Sequence, residues 1–158
     1  MKSYKVDENT ILKFEEGVLQ SFKRYCQKNG MNENGGILLG KIKSDYKEYI
    51  ITTISEPCDK DKSGKNYFVR NKENAQNVID HYWEASGGEV MYLGEWHTHH
   101  EIHPHPSLVD ETLMYQCVRE IKNLPPYIFM VIVGENGLLY VGTKRIDDNN
   151  KLVRLIEL

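Results

Sequence analysis

Near its C-terminal end the sequence reads Tyr127-Ile128-Phe129-Met130-Val131-Ile132-Val133, an unbroken apolar run between Pro125-Pro126 and the turn residues Glu135-Asn136-Gly137. A strand with one solvent-exposed face alternates apolar and polar residues, whereas a continuous apolar run is typical of a strand that is buried on both faces. The run is far shorter than the roughly 18 apolar residues that a membrane span needs. It therefore predicts a central strand in a sheet that is covered on both sides.

Three segments outside this strand carry apolar residues at helical spacing. We expect helices over residues 11–28, about 72–85 and 108–122. Each is followed by residues that stop a helix, in order Asn29-Gly30, Ser86-Gly87-Gly88 and Pro125-Pro126. The second helix is predicted to turn five apolar side chains toward the core: Ala75, Val78, Ile79, Tyr82 and Trp83.

Segments rich in β-branched and aromatic residues account for much of the remainder. Residues 37–42 and 49–55 are predicted to form a hairpin, residues 90–97 a further strand, and residues 138–146 and 152–156 an antiparallel meander. Residues 59–66 are polar without any period, so we expect a mobile surface loop there. The order α-β-β-α-β-α-β-β-β predicts an α/β (α+β) fold in which a single mixed β-sheet is flanked by helices.

The composition limits the classes of protein to consider. The chain has 158 residues, of which 40% are hydrophobic, and this length predicts a single domain over residues 1–158. Its net charge of -3 offers no basic surplus for nucleic acid. Cys26, Cys58 and Cys117 form no CxxC pair, and the first residues lack the apolar stretch of a signal peptide. We therefore expect a cytoplasmic protein without disulfides and without contact to a membrane.

Five of the six histidines lie within nine residues: His97, His99, His100, His103 and His105. Side chains alternate along a strand, so His97 and His99 should project to the same side while Thr98 turns away. Two neighbouring imidazoles on a stiff support are typical of a metal site, and neutral imidazole is a preferred ligand of Zn²⁺. The pair therefore predicts a zinc site at the end of this strand.

A hydrolytic zinc site adds a third protein ligand and leaves one position for water. Asp110 is the candidate, because a proline-stiffened loop brings the chain back there at the start of a helix. The pattern Ser107-x-x-Asp110 is also a helix-capping signature, and the two roles are compatible. A Glu that does not bind the metal usually moves the proton, and Glu33 and Glu95 both qualify. The residues alone leave that choice open.

These residues together resemble the motif of the JAB/MPN+ (JAMM) metalloproteases. Glu33-Asn34-Gly35-Gly36 begins the pattern, and His97-Thr98-His99 is followed after seven residues by Ser107-Leu108-Val109-Asp110. The resemblance covers most of the chain and implies a JAB/MPN-like fold, a type related to the cytidine deaminases. It implies that His97, His99 and Asp110 bind zinc. It further implies that Glu33, and not Glu95, is the general acid and base, and that Ser107 assists the oxyanion.

The sequence departs from the family at one position, since His100 stands where the family commonly has Pro. His100, His103 and His105 are therefore alternative ligands, although each needs a turn of the chain to reach the metal. The short chain is similar to prokaryotic JAB proteins, and in particular to those encoded beside E1- and E2-like proteins in anti-phage operons of the CBASS type. The resemblance implies a peptidase or isopeptidase that cuts the bond after the C-terminus of a ubiquitin-like or conjugated protein.

Other functions remain as alternatives to this hydrolase. A non-catalytic domain that binds metal or a partner would carry the same ligands, and a JAB hydrolase of small peptides would share the site but not the substrate. A cysteine hydrolase would need Cys26 or Cys117, yet both lie on predicted apolar helix faces. A zinc deaminase needs H-x-E with P-C-x-x-C, and the sequence contains no such pair.

Overall fold

The computed structural model describes residues 1–158, and a mixed sheet of nine strands forms its centre. In chain order the elements are β1 (Lys2–Lys5), β2 (Ile11–Phe14), α1 (Glu16–Arg24), β3 (Gly35–Lys43), β4 (Glu48–Ile54), β5 (Lys62–Gly64), β6 (Tyr67–Val69), α2 (Lys72–Ala85), β7 (Met91–Thr98), α3 (Leu108–Glu120), β8 (Tyr127–Val133), β9 (Leu139–Arg145), β10 (Val153–Arg154) and β11 (Ile156–Glu157). The strand order is β10-β9-β8-β7-β3-β4-β2-β1-β11, and β5 and β6 form a separate hairpin. Neighbouring strands are antiparallel except for the parallel pairs β7–β8 and β2–β4. The predicted mixed sheet is confirmed.

Strand β8 is buried on both faces, as its apolar run predicts. Its side chains alternate between two core clusters, with Phe129, Val131 and Val133 in one and Ile128, Met130 and Ile132 in the other. The first cluster also contains the buried apolar residues of α1, and the second contains the buried apolar residues of α2 and α3. Helix α1 therefore covers one face of the sheet, and α2 and α3 cover the opposite face.

The sheet curves around the face that α1 covers. Tyr49 in β4 and Phe129 in β8 are three strand positions apart, which would separate them by about 14 Å in a flat sheet. Their ring centroids are nevertheless only 5.2 Å apart, in an edge-to-face contact. Both rings therefore fill the concave side of the sheet.

The end of the chain joins the two edges of this curved sheet. β10 pairs with β9 at one edge, β11 pairs with β1 at the other, and only Leu155 lies between them. Leu155 is buried and donates its N–H to the carbonyl of Val141. The predicted meander is confirmed for β9 and β10. Its expected continuation to residue 156 is wrong, because the curvature brings β1 within pairing distance of Ile156.

Both bounds of the first predicted helix, residues 11–28, are also wrong. Residues 11–14 form β2, and α1 begins only at Glu16 and ends at Arg24. Leu12 and Phe14 are fully buried at alternating positions, and β2 pairs with both β1 and β4. Pairing on two sides therefore outweighs the helical spacing of these residues.

Two further expectations need correction. The polar segment predicted as an irregular loop contains β5, which pairs with β6 across a tight turn. Trp83 was predicted to face the core, but its side chain is 48% exposed, because α2 turns Ala75 toward the sheet and leaves Trp83 at its rim. The bounds of α2 and α3 otherwise agree with prediction within two residues. None of the three helices has the length and apolar character needed to span a membrane.

Gly94 permits the close contact between β7 and β8. Its φ angle is +144°, and a Cβ atom there would lie 1.9 Å from the carbonyl oxygen of Phe129. Only glycine combines this backbone conformation with such a close approach of the neighbouring strand. Gly94 thus allows β7 to pair closely with β8 at a point three residues before His97.

Candidate metal centre

The segment that carries His97 and His99 is held by backbone hydrogen bonds on both sides. His97 lies in β7 and pairs with Gly35 of β3. His99 follows β7 directly and donates its N–H to the carbonyl of Val133. Thr98 points to the opposite side, where its Oγ accepts a hydrogen bond of 3.0 Å from the N–H of Asn34. The alternation predicted from the sequence therefore places both imidazoles on one side.

Asp110 reaches the same place from the first turn of α3. Its backbone N–H donates to Ser107 Oγ at 3.2 Å, and its Oδ2 accepts from the N–H of Ser107 at 2.7 Å, which completes a capping box. Its Oδ1 lies 3.0 Å from His97 Nε2. The carboxylate thus caps the helix and faces the histidines at once, so the cap leaves it in a position from which it could also bind a metal.

The three side chains converge on one small volume. His97 Nε2 and His99 Nε2 are 3.0 Å apart, and His99 Nε2 is 3.3 Å from Asp110 Oδ2. One donor atom from each of the three lies within 4.8 Å of the others, and all three residues are buried.

This donor set fits a divalent cation. When both Nε2 atoms carry lone pairs, neither can donate a hydrogen bond to the other. A cation shared between them would bind both lone pairs. Two imidazoles and a carboxylate are the ligands that hydrolytic zinc sites use. A cation would also offset the buried negative charge of Asp110 and Glu33.

Glu33 stands beside this cluster at the entrance to β3. Its backbone N–H donates to the carbonyl of Gly64 at 2.8 Å, so the β5–β6 hairpin fixes its position. Its Oε1 is 4.0 Å from His99 Nε2, and the side chain is buried. The structure thus brings Glu33 to the histidines from 64 residues away in the chain.

Glu95, the other carboxylate considered for the acid and base role, is engaged elsewhere. Arg70 donates to it from Nε at 2.9 and 3.0 Å, and Tyr92 donates from its hydroxyl at 2.9 Å. The thiol of Cys117 lies 3.3 Å from the same carboxylate. Burial opposes the charge on Arg70, but the negative charge of Glu95 raises the pKa of the guanidinium above its usual value. The buried Glu95 and the partly buried Arg70 thus form an ion pair.

The electrostatics of the cluster follow from burial and from the neighbouring charges. Burial raises the pKa of Glu33 to about 7, against the attraction of His99. Burial also opposes ionisation of Asp110, but hydrogen bonds from His97 and His99 hold the pKa of that carboxyl well below its usual value. For His99, burial favours a lower pKa, yet the hydrogen bond and charge of Asp110 outweigh it and raise the pKa.

The other three histidines of the segment lie outside this cluster. His100 Nδ1 is 3.1 Å from Glu135 Oε2, and His105 Nδ1 is 3.1 Å from Glu101 Oε2. His103 is exposed. None of the three belongs to the group of donor atoms formed by His97, His99 and Asp110.

A cavity of about 540 Å³ opens onto the cluster. Glu33, His97, His99, Ser107 and Asp110 line one end. From there the cavity extends between β6 and one side of α3, with apolar and polar lining residues that include Phe68, Val109, Leu113, Gln116 and Ile121. All five site residues predicted from the sequence therefore face a single space.

Two residues at the site were not predicted. Arg70 lines the cavity and pairs with Glu95, which lies 25 residues further along the chain. No local sequence pattern predicts this pair. Glu101 lies 3.6 Å from His99, inside the histidine-rich segment. The cluster of histidines around Glu101 was the feature of the sequence that could have drawn attention to it.

Comparisons with known proteins find relatives over most of the chain. A family model described as prokaryotic homologs of the JAB domain matches residues 15–145. The chain is 32% identical over 140 residues to a Pseudomonas aeruginosa protein named CD-NTase/cGAS isopeptidase, with 87% of each chain covered. It is 36% identical over 120 residues to an Escherichia coli protein of the same name, with 76% of this chain and 72% of the relative covered.

A more distant relative is a probable metalloprotease of Sinorhizobium fredii, 26% identical over 102 residues, with 64% of this chain and 62% of the relative covered. Among solved structures, the solution structure of a Desulfitobacterium hafniense protein aligns with a TM-score of 0.61 at 15% identity. The alignment covers 90% of this chain and 88% of that chain, and it shows a common fold.

Proposed function

Since the chain belongs to the family of prokaryotic homologs of the JAB domain, we propose that it is a zinc-dependent isopeptidase that cuts the bond after the C-terminal tail of a ubiquitin-like or conjugated protein. The observation that carries this proposal is the convergence of His97, His99 and Asp110 beside the buried Glu33, at one end of a cavity. We also propose that residues 1–158 are one domain, because a single sheet unites strands from both ends of the chain.

His97 and His99 would hold the ion through Nε2, and Asp110 through one carboxylate oxygen. When bound, zinc supplies Lewis acidity and lowers the pKa of water to about 7. The positions of the three ligands support this assignment, because backbone hydrogen bonds of β7, of His99 and of the first turn of α3 hold them.

Glu33 would take the proton from the attacking water and deliver it to the departing amine. Two features support this role. Its carboxylate is close to the ligands yet remains outside the set of three donors, with Oε1 4.0 Å from His99 Nε2. The carboxylate of the competing Glu95 instead accepts hydrogen bonds from Arg70 and Tyr92.

Ser107 would donate its hydroxyl hydrogen to the oxyanion that develops on the scissile carbonyl. In the capping box Ser107 Oγ accepts from the N–H of Asp110, which leaves its own hydrogen available for donation. Ser107 lines the same cavity as Glu33. The cap fixes the hydroxyl close to the proposed ligand Asp110.

The substrate tail would lie in the cavity between β6 and α3. β6 pairs with β5 along one side only, so an extended peptide can add to its other side as a strand. The relatives named CD-NTase/cGAS isopeptidase support a conjugated CD-NTase as the substrate. In that case the E1- and E2-like proteins of an anti-phage operon would be the partners that form the bond. Three free cysteines are in keeping with a cytoplasmic place of action.

The test is cleavage of a fusion in which the C-terminal tail of a CD-NTase is joined to a second protein. We expect the zinc-loaded chain to cleave at the end of the tail, a chelator to stop cleavage, and added zinc to restore it. His97→Ala should lose both zinc and activity. The control His103→Ala removes an exposed histidine of the same segment and should keep both.

The alternatives give different results in the same assay. Zinc binding without cleavage of the fusion or of short peptides would indicate a non-catalytic binding domain. Cleavage of short peptides alone would indicate a hydrolase of small substrates. Full activity of His97→Ala in the presence of chelator would contradict the metal-dependent mechanism.

A further inference from the structure

The second nitrogen of His99 faces a carboxylate that the proposed reaction does not use. His99 Nδ1 and Glu101 Oε2 are 3.6 Å apart, and neither forms a hydrogen bond. They are two of only three buried polar side-chain atoms in the chain without such a partner. A buried polar atom without a partner is costly, so two that face each other call for a functional explanation.

The tautomer of the neutral His99 ring gives that explanation. A neutral imidazole carries its proton on one nitrogen and offers a lone pair on the other. A proton on Nε2 of His99 would leave a lone pair on Nδ1 facing the carboxylate of Glu101. A proton on Nδ1 instead makes an attractive contact there and frees Nε2, which faces His97 and Asp110.

We propose that Glu101 is a positioning residue for the metal centre, which fixes His99 in the tautomer and ring orientation whose Nε2 lone pair can bind the ion. This inference rests on the metal site of the proposed function, but not on its substrate. Carboxylates that accept from the outer nitrogen of a ligating histidine are widespread in metal sites.

Contacts within the histidine-rich segment hold Glu101 in place. His105 Nδ1 lies 3.1 Å from Glu101 Oε2, although out of line for a hydrogen bond. The backbone carbonyl of Glu101 accepts from the N–H of Glu135, whose side chain contacts His100. This backbone hydrogen bond therefore ties the loop that carries Glu101 to the turn after β8.

Zinc affinity provides a test that needs no substrate. We would measure it by competition with a chelating dye for the wild type, Glu101→Ala and Glu101→Gln. Glu101→Ala should bind zinc about 10- to 100-fold more weakly, the usual effect of removing such a partner. Glu101→Gln keeps an oxygen that can accept from Nδ1, so its loss should be smaller than that of Glu101→Ala.

The matched control is Glu135→Ala, which removes the same charge from the neighbouring loop without touching a proposed ligand. It should bind zinc like the wild type. Nitrogen chemical shifts of the His99 ring report the tautomer directly, and the proton on Nδ1 should be dominant in the wild type and reduced in Glu101→Ala. A merely structural role of Glu101 would leave this ratio unchanged.

The outcomes separate the two proposals. Equal zinc affinity for the wild type and Glu101→Ala, in folded proteins, would overturn the role of Glu101 alone. Equal losses in Glu101→Ala and Glu135→Ala would assign the effect to net charge and would also overturn it. Failure of the wild type to bind zinc at all would overturn the metal centre itself, and this inference with it.

Discussion

The Nε2 atoms of His97 and His99 lie 3.0 Å apart, while Thr98 between them is turned to the other side of the chain. The contact depends on extended backbone through both residues, because only alternation brings positions i and i+2 to the same side. Asp110 then closes the group from a different element.

Substitution of Glu33 by Gln should separate metal binding from turnover. The amide is nearly the same size as the carboxylate but cannot accept and return a proton, so the cleavage rate should fall by about 10²- to 10⁴-fold. Zinc content should stay at the wild-type level, because Glu33 is not one of the three proposed ligands. Cleavage kinetics and zinc analysis on the same preparation provide the check, and an unimpaired rate would remove Glu33 from the mechanism.

Ser107 has a structural and a proposed catalytic role, and two substitutions separate them. Ser107→Ala removes both the cap and the hydroxyl, and should cost about 1 kcal/mol of stability and about 10²- to 10³-fold in rate. Ser107→Gly should lose the same rate but only a few tenths of a kcal/mol, because glycine is a tolerable N-cap. Urea unfolding and cleavage assays measure the two effects. A rate loss that follows stability across both variants would argue against the oxyanion role.

Gly94→Ala should destabilise the chain severely. A methyl group would collide with the carbonyl of Phe129, in addition to the roughly 1–3 kcal/mol of strain that its backbone conformation imposes on other residues. The matched control is Gly17→Ala in α1, where a Cβ meets nothing within 4 Å. That change should be neutral or stabilise the helix by up to about 1 kcal/mol. In thermal unfolding, the midpoint temperature of Gly94→Ala should fall by many degrees, whereas that of Gly17→Ala should stay the same or rise.

The ion pair between the partly buried Arg70 and the buried Glu95 should matter more to stability than to chemistry. Glu95→Ala leaves the guanidinium without its counter-charge and should cost about 3–5 kcal/mol in unfolding free energy. The double substitution Arg70→Met with Glu95→Met removes both charges and should recover much of that loss. Denaturant unfolding of the single and double variants completes the comparison. A single variant as stable as the wild type would mean that Arg70 finds water when its partner is removed.

Zinc retention should depend on pH through the imidazole ligands. Ligating imidazole must be neutral, and the raised pKa of His99 means that its ring holds a proton at a higher pH than an ordinary histidine. Protons therefore compete with the metal as pH falls, and zinc should be lost below about pH 6. Zinc content after equilibrium dialysis at stepwise pH gives the curve. A constant content down to pH 4 would contradict imidazole ligation.

Local patterns predicted the parts of the molecule in which local and tertiary preferences agree. The apolar run of β8, the spacing of α2 and the stop signals after it each have one structural solution, and the structure adopts it. Prediction failed for residues 11–14, where helical spacing competes with pairing to two distant strands. It also failed for β5, because a short polar strand carries no hydrophobic period.

The sequence by itself indicated the candidate ligands, since strand alternation places His97 and His99 on one side and the proline-stiffened loop brings the chain back at Asp110. It did not determine which glutamate joins them, because Glu33 and Glu95 are both plausible in the chain. The tertiary structure decided where each glutamate lies, through partners far away in sequence: the carbonyl of Gly64 binds the N–H of Glu33, whose side chain lies beside His99, and Arg70 binds Glu95. Such contacts are formed only when the sheet is assembled, so they leave no periodic signal in the residues themselves.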